Sequence, residues 1–198
     1  SILDNLSRQG ALANIEWLKT IGSFRLITGD ITDFATCRKT VDGQDVILHL
    51  AAQVAVTNSV TDPKSDFKIN CLGTFNMLEA VRMTRRKPVF IFSSTNKVYG
   101  GMEKIKIIEK KGQYLYKDFP FGISESINLD FHSPYGCSKG AADQYVHDYH
   151  RIYGIPTVVF RQSCIYGPRQ FGIEDQGWVA WFIIAGVTGR KITIYGDG

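Results

Sequence analysis

The sequence predicts a parallel α/β sheet wound with helices on both faces. Short apolar runs alternate with amphipathic helical stretches along the chain, and the links between them are short. Asp45 to Leu50 reads as a solid apolar strand, the kind that a parallel sheet buries on both faces. Small and polar residues stand at the ends of the apolar runs: Asp4, Asp30, Ala51-Ala52-Gln53, Ser93-Ser94-Thr95 and the segment after Phe160. In such sheets ligands bind beyond the carboxyl ends of the strands, so these stretches converge on one crevice.

Taken in order, Ile2-Leu3 is the tail of a strand ending at Asp4. Ser7 to Gly22 follows as a helix, with Ala11, Ile15, Leu18 and Ile21 inward. Phe24 to Ile27 is a short strand, Gly29 to Asp33 a polar turn, and a short helix runs to about Val41. After the strand Asp45 to Leu50, Pro63 opens the longest helix, to about Arg86, burying Phe67, Cys71, Phe75, Leu78 and Val81. Pro88 to Phe92 is the next strand. Residues 101–132 are irregular apart from a hairpin of Lys104–Ile108 and Gln113–Tyr116. A helix begins at Ser133, Pro156 to Phe160 is a strand, Gly177 to Gly189 a helix, and Ile192 to Tyr195 a last short strand.

At 198 residues, 44% hydrophobic and 21% charged, the chain has enough material for one sizeable core. No apolar run approaches the ~20 residues of a membrane span, and no signal peptide is visible. The net charge of +4 is mild. Its densest part, Lys104 to Lys111, alternates lysine with isoleucine, which predicts a half-buried strand rather than a nucleic-acid patch. Cys37, Cys71, Cys137 and Cys164 are scattered, which fits a reducing cytoplasm better than a disulfide framework. The four histidines offer no metal-site spacing.

The chemistry centres on Ser133 to Gly140. Tyr135 and Lys139 share a helix face with Ala142, Val146, Tyr149 and Tyr153, an inward stripe. A phenol beside an ammonium has a reason to ionise early, since the cation favours the phenolate. Such a tyrosine can take a proton from a sugar or alcohol hydroxyl near neutral pH. By itself the pair is better read as a packing aromatic and a solvated charge, since the spacing is common in helices; the rest of the chain reverses that preference. Thr95, at the end of another strand, completes a set for reversible hydride transfer in which Tyr135 is base or acid and Thr95 aids the proton's passage. Asp4, at a strand end, is placed to accept hydrogen bonds from adenosine ribose hydroxyls and to repel a 2′-phosphate, which favours NAD over NADP. Asp30 and Ile31 suit an adenine, and Ala51 and Ala52 a close approach of backbone to pyrophosphate or ribose.

These stretches together resemble the extended short-chain dehydrogenase/reductase family of nucleotide-sugar epimerases and dehydratases. The matching segments are Leu3 to Ser7, Gly29 to Asp33, His49 to Gln53, Asn70 to Thr74, Ser93 to Thr95 with Val98 to Gly100, Tyr135 with Lys139, and Tyr166 to Gln170. The resemblance implies a Rossmann-type domain over residues 1–162, lacking its first βα unit, and the start of a smaller substrate-binding domain over residues 163–198. It implies NAD held by Asp4, Asn5, Ser7, Asp30, Ile31, Leu50, Ala51, Ala52, Gln53, Asn70, Ser93, Tyr135, Lys139 and Gln162. Thr95, Tyr135 and Lys139 are the implied catalytic set. Asn96, Val98, Cys164, Gln176, Thr193 and Tyr195 are the implied substrate contacts.

Thr95 to Tyr99, Ser133 to Gly140 and Arg161 to Trp181 resemble more narrowly the branch that inverts C2 of a CDP-linked deoxysugar destined for cell-surface polysaccharide. Dehydratases of the family usually carry Asp-Glu after the catalytic threonine, to remove water across C5–C6. Here Asn96 and Lys97 stand in those places. The family also implies a homo-oligomer, with Phe67 to Arg86 and Ser133 to Tyr153 as candidates for a helical interface. A strand, a G-x-x-G-x-x-G turn and a helix, about 30 residues in all, are expected ahead of Ser1. Taken alone, the stretch is expected to be inactive. The alternatives are a C4 epimerase of a UDP-hexose and a non-catalytic NAD-binding scaffold.

Overall fold

The computed structural model describes residues 1–194. In chain order the elements are β1 (Ile2–Asp4), α1 (Ala11–Ile21), β2 (Leu26–Thr28), α2 (Phe34–Val41), β3 (Val46–His49), α3 (Val56–Thr61) and α4 (Pro63–Phe67). A π-helical turn, Lys68–Leu72, joins α4 to α5 (Gly73–Arg82). Then come β4 (Val89–Thr95), β5 (Ile107–Lys110), β6 (Gln113–Tyr116), α6 (Ser133–Tyr153), β7 (Thr157–Gln162) and α7 (Trp178–Val187). β1 pairs with β2, and β3, β4 and β7 form a second sheet in that order, every pairing parallel. β5 and β6 make an antiparallel hairpin.

The predicted parallel α/β sheet is present, and its core lies on one face. Phe90 and Phe92 of β4 pack with Leu78 and Val81 of α5, Val41 of α2, and Ala142 and Val146 of α6. Side chains of a strand alternate between faces. Covering one face therefore buries Ile47 and His49 but leaves Val46 and Leu48, 51% and 63% exposed, on the other. The expectation of burial on both faces of this strand is corrected accordingly. Phe160 of β7 is likewise exposed.

The long helix differs most from the sequence reading. It opens at Pro63 as predicted, with Asp62 Oδ1 accepting from Ser65 N at 3.0 Å as its N-cap. The π-turn then changes the facing of the residues. Phe67, expected inside, is exposed, while Asp66 and Asn70 are buried. Leu78 and Val81 face the core as expected, and α5 ends at Arg82.

Smaller corrections have local causes. α1 begins at Ala11 rather than Ser7, because Leu6 (φ 57) and Gly10 (φ 88) take left-handed conformations, which cannot lie inside a right-handed helix, and Gly10 becomes its N-cap. Ile21, at its end, is exposed. The first hairpin strand begins three residues later than predicted and ends two later. All four of its residues are exposed, since the hairpin is two strands wide. Residues 191–194 form no strand, and Tyr195 lies outside the described residues. Tyr153, expected inward, is 39% exposed.

α6 ends at Gly154, whose left-handed backbone (φ 63, ψ 27) lets its N–H bond His150 O at 2.9 Å. Gly154→Ala is expected to lower the unfolding free energy by about 1 kcal/mol, because an L side chain disfavours that conformation. Urea denaturation of the two proteins measures it.

Candidate active site

Two clefts open along the carboxyl ends of the parallel strands. The smaller, about 120 Å³, is bordered by Asp4, Asn5 and Ser7 after β1, by Asp30 and Ile31 after β2, and by Ala51 and Ala52 after β3. The larger, about 640 Å³, is bordered by Leu50 and Ala52, by Ser93, Thr95 and Asn96 at the end of β4, and by Tyr135 and Lys139 of α6. Gln162, Cys164, Gln176 and Trp178 form more of its wall. Ala52 borders both, so the two clefts adjoin.

Short polar contacts fix the smaller cleft. Asp4 Oδ1 accepts from Leu6 N at 2.7 Å, and Asn5 Oδ1 accepts from Ser7 N and Oγ at 3.1 and 2.7 Å. Asn5 Nδ2 donates to Asp30 Oδ2 at 2.8 Å, and Thr32 N donates to Asp30 Oδ1 at 2.8 Å. Burial works to raise the Asp30 carboxyl, but the bonds from Thr32 and Asn5 outweigh it and hold the group below its ordinary value. Two acidic side chains beside a floor of alanines suit a ribose and an adenine. A dinucleotide is long enough to continue past Ala52 toward Tyr135, so the residues present fit NAD.

At the other end, Thr95 and Tyr135 are buried and hydrogen-bonded to each other. Thr95 Oγ1 also accepts from Lys97 N at 3.3 Å, capping the turn Asn96–Tyr99. Lys139, 4% exposed, donates from Nζ to Ser93 O at 2.6 Å and lies 4.2 Å from the centre of the Phe92 ring. Burial pushes its ammonium down to about 8, against the opposing pull of Asp143 and Asp66. Burial likewise raises the Tyr135 phenol. The Thr95 hydrogen bond lowers it and Asp66 raises it further. The expected depression by Lys139 is therefore corrected: its ammonium is committed to Ser93 O, and desolvation dominates the phenol. Ser93 Oγ donates to Gln162 Oε1 at 2.8 Å across the β4–β7 pair.

Some predicted contacts lie elsewhere. Asn70 is buried and borders neither cleft. Its Oδ1 accepts from Gln53 N at 2.9 Å and its Nδ2 donates to Gln53 O at 3.0 Å, so both residues tie the loop after β3 to the π-turn. Val98 is fully buried, and Thr193 is exposed and borders neither cleft. Asn96 donates weakly to Ser163 Oγ at 3.5 Å. Cys164 Sγ accepts from Trp178 Nε1 at 3.3 Å, and Gln176 Oε1 accepts from Arg8 Nη2 at 2.5 Å.

Sequence reasoning missed three buried groups behind the site. Asp66 accepts from Ser138 Oγ at 2.5 Å and from Gln53 Nε2 at 2.8 Å. Asp143, fully buried, accepts from Arg161 at 2.9 and 3.0 Å and from Ser94 Oγ at 2.6 Å. It stands four residues after Lys139, and that spacing is the signal that marks it. His49 stacks on Phe92 with ring centres 5.8 Å apart, and its Nε2 lies 3.0 Å from Thr74 Oγ1. Thr74 already gives its proton to Asn70 O at 2.7 Å, so Nε2 is the donor. Burial pushes this imidazole down to about 3, which keeps it neutral.

Comparison with known proteins places this geometry. A family model described as the NAD dependent epimerase/dehydratase family matches residues 1–198. The chain is 49% identical to a CDP-paratose 2-epimerase of Salmonella typhi over all of this chain and 60% of that one. A dTDP-glucose 4,6-dehydratase of Streptomyces venezuelae, solved with NAD bound, superposes with a TM-score of 0.80 at 28% identity, over 99% of this chain and 55% of that one. A UDP-glucose 4-epimerase of Thermotoga maritima, solved with UDP-glucose, gives 0.78 at 30% identity, over 99% and 57%. The chain thus spans a little over half the length of these relatives.

Proposed function

The chain belongs to the NAD-dependent epimerase/dehydratase family, and from that premise we propose that it carries the active site of a nucleotide-sugar epimerase interconverting CDP-paratose and CDP-tyvelose. The observation that carries the reading is the buried Thr95–Tyr135–Lys139 cluster beside the large cleft, with Asn96 and Lys97 directly after the threonine. Inverting C2 requires one hydroxyl to lose and regain a proton, and this cluster supplies that. Dehydration across C5–C6 also needs an acid and a base at those next two positions, and an amide and an ammonium suit neither role. The 49% likeness to the Salmonella typhi protein supports the choice of sugar and nucleotide.

Each residue's part derives from its surroundings. Asp4 and Asp30 would hold the adenosine end and Ala52 the crossing. Lys139 would bind the nicotinamide ribose, with Ser93 and Gln162 beside it. NAD, when bound, supplies the hydride acceptor at C2 and the donor for the return. Tyr135 takes the C2 hydroxyl proton, with Thr95 hydrogen-bonded to both oxygens, and gives it back after the 2-keto sugar has turned over in the cleft. Tyr135 has to enter this step as the phenolate: burial and Asp66 work against that form, and the Thr95 hydrogen bond favours it. Asn96, Cys164, Gln176 and Trp178 are the wall against which the sugar and its diphosphate would lie.

The test is run on the whole protein that carries this chain. It is incubated with CDP-paratose without added NAD, and the C2 configuration is followed by proton NMR. Appearance of the tyvelose epimer is the expected result, with a resident cofactor. No change at C2 in folded protein supplied with NAD overturns the assignment. The same assay with UDP-hexoses then tests C4 epimerisation, the activity for which the Thermotoga maritima relative is named.

A further inference from the structure

We propose that Asp66 is a positioning residue for this site: a buried carboxylate that serves as the counter-charge of Lys139 and sets the protonation of the Tyr135–Lys139 pair. The inference deepens the epimerase reading and rests on it for its kinetic arm.

Asp66 is 1% exposed. Its Oδ1 accepts from Gln53 Nε2 at 2.8 Å and from Asn70 Nδ2 at 3.0 Å, and its Oδ2 accepts from Ser138 Oγ at 2.5 Å. All three donors are neutral. A carboxylate buried among neutral partners is costly unless an opposite charge lies near. Lys139 is the mirror case: it is 4% exposed, and its ammonium is bonded to a neutral carbonyl, Ser93 O. Ser138 stands between Tyr135 and Lys139 on α6, so Asp66 rests against the turn that bears both.

Other charges on the packed elements are answered or solvated. Asp143 of α6 is held by Arg161 of β7, with His147 3.7 Å away. Lys64 of α4, Lys68 of the π-turn and Lys97 after β4 are exposed. Glu79 of α5 is paired with Arg82. His49 of β3 is neutral. Asp143 also pulls on Lys139, more strongly than Asp66 does, but Arg161 already answers it; Asp66 is the buried carboxylate held by neutral donors. Its field raises both partners, keeping the ammonium charged and the phenol protonated.

Asp66→Asn isolates the charge. The amide oxygen can still accept from Gln53 and Asn70. Its NH2 can donate to Ser138 Oγ, which then donates to Tyr135 O, 3.2 Å away. Tyr135 ionisation is read as the alkaline ultraviolet difference between each protein and its Tyr135→Phe counterpart. The midpoint is expected to fall by roughly one pH unit in Asp66→Asn. The pH profile of epimerisation should move in the same direction. Ser138→Ala removes a hydrogen bond but no charge, and should leave the midpoint in place. An unmoved midpoint in Asp66→Asn, or an equal shift in Ser138→Ala, overturns the proposal.

Thermal melts give a reading if Asp66→Asn folds poorly. Asp66→Asn/Lys139→Met removes both charges and should melt above Asp66→Asn alone. A double variant that melts below both single variants overturns the proposal. A midpoint shift in Asp66→Asn alongside an unaltered protein that shows no epimerisation overturns the functional reading and leaves this one standing.

Discussion

Tyr135→Phe is expected to lower the turnover of C2 epimerisation by about 10²–10⁴ while leaving thermal stability close to that of the unaltered protein. The ring is 9% exposed and packed, and the substitution keeps it. What is lost is the hydroxyl, with its hydrogen bond to Thr95. Lys139 holds Ser93 O independently of that hydroxyl, so NAD affinity should change little. Initial rates by NMR and NAD titration separate the two effects. A variant retaining more than about a tenth of the activity would mean that another group takes the proton.

Arg161→Met is expected to cost about 3–5 kcal/mol of stability, the largest effect of any single substitution considered. Arg161 lies against Asp143, which has no exposed surface, and also donates to Tyr99 OH at 3.0 Å. Removing the guanidinium leaves a buried carboxylate with Ser94, the Gln144 amide and a histidine 3.7 Å away, and no permanent cation, to answer it. Asp143→Asn/Arg161→Met should recover most of the loss, since a buried pair removed whole is far less damaging than one halved. The difference should depend on pH. Burial works to raise the Asp143 carboxyl, but Arg161 and Ser94 outweigh it and hold the group below its ordinary value. Its stabilising contribution is therefore full above about pH 4, the unfolded value, and is lost as pH falls through the folded value. Urea titrations at neutral and at acid pH should show the gap between the unaltered protein and Arg161→Met narrowing at acid pH.

The parallel sheet, the order of its elements and the residues at the strand ends are legible in the sequence because each rests on local chemistry. Pro63 and Pro134 begin helices, Gly154 ends one, and apolar runs such as Val89 to Phe92 make strands. Asp4, Asp30, Ala52, Thr95, Tyr135 and Lys139 border the clefts because the ends of parallel strands lie side by side. Features set by contact between distant segments escape such a reading. Asp66 and Asn70 read as the polar side of a helix, and it is the π-turn that changes their facing. Arg161, at the end of an apolar strand, gives no local sign that a buried aspartate awaits it on α6. The exposure of Val46 and Leu48 depends on which faces of the sheet carry helices, and the run Asp45 to Leu50 does not encode that.

The π-turn at Lys68–Leu72 has a consequence for how this stretch tolerates change. An α-helix advances about 100° per residue, so one surplus residue in a turn acts as a phase shift between the helix ahead of it and the helix beyond. Upstream, Asp66 is indexed to Ser138 and the reacting pair. Downstream, Leu78 and Val81 are indexed to the phenylalanines of β4. The two halves answer to different constraints, chemistry on one side and folding on the other. Deleting a single residue within the turn would lock them into one register. That change would leave a smoother helix and a worse protein, because no single register can serve both.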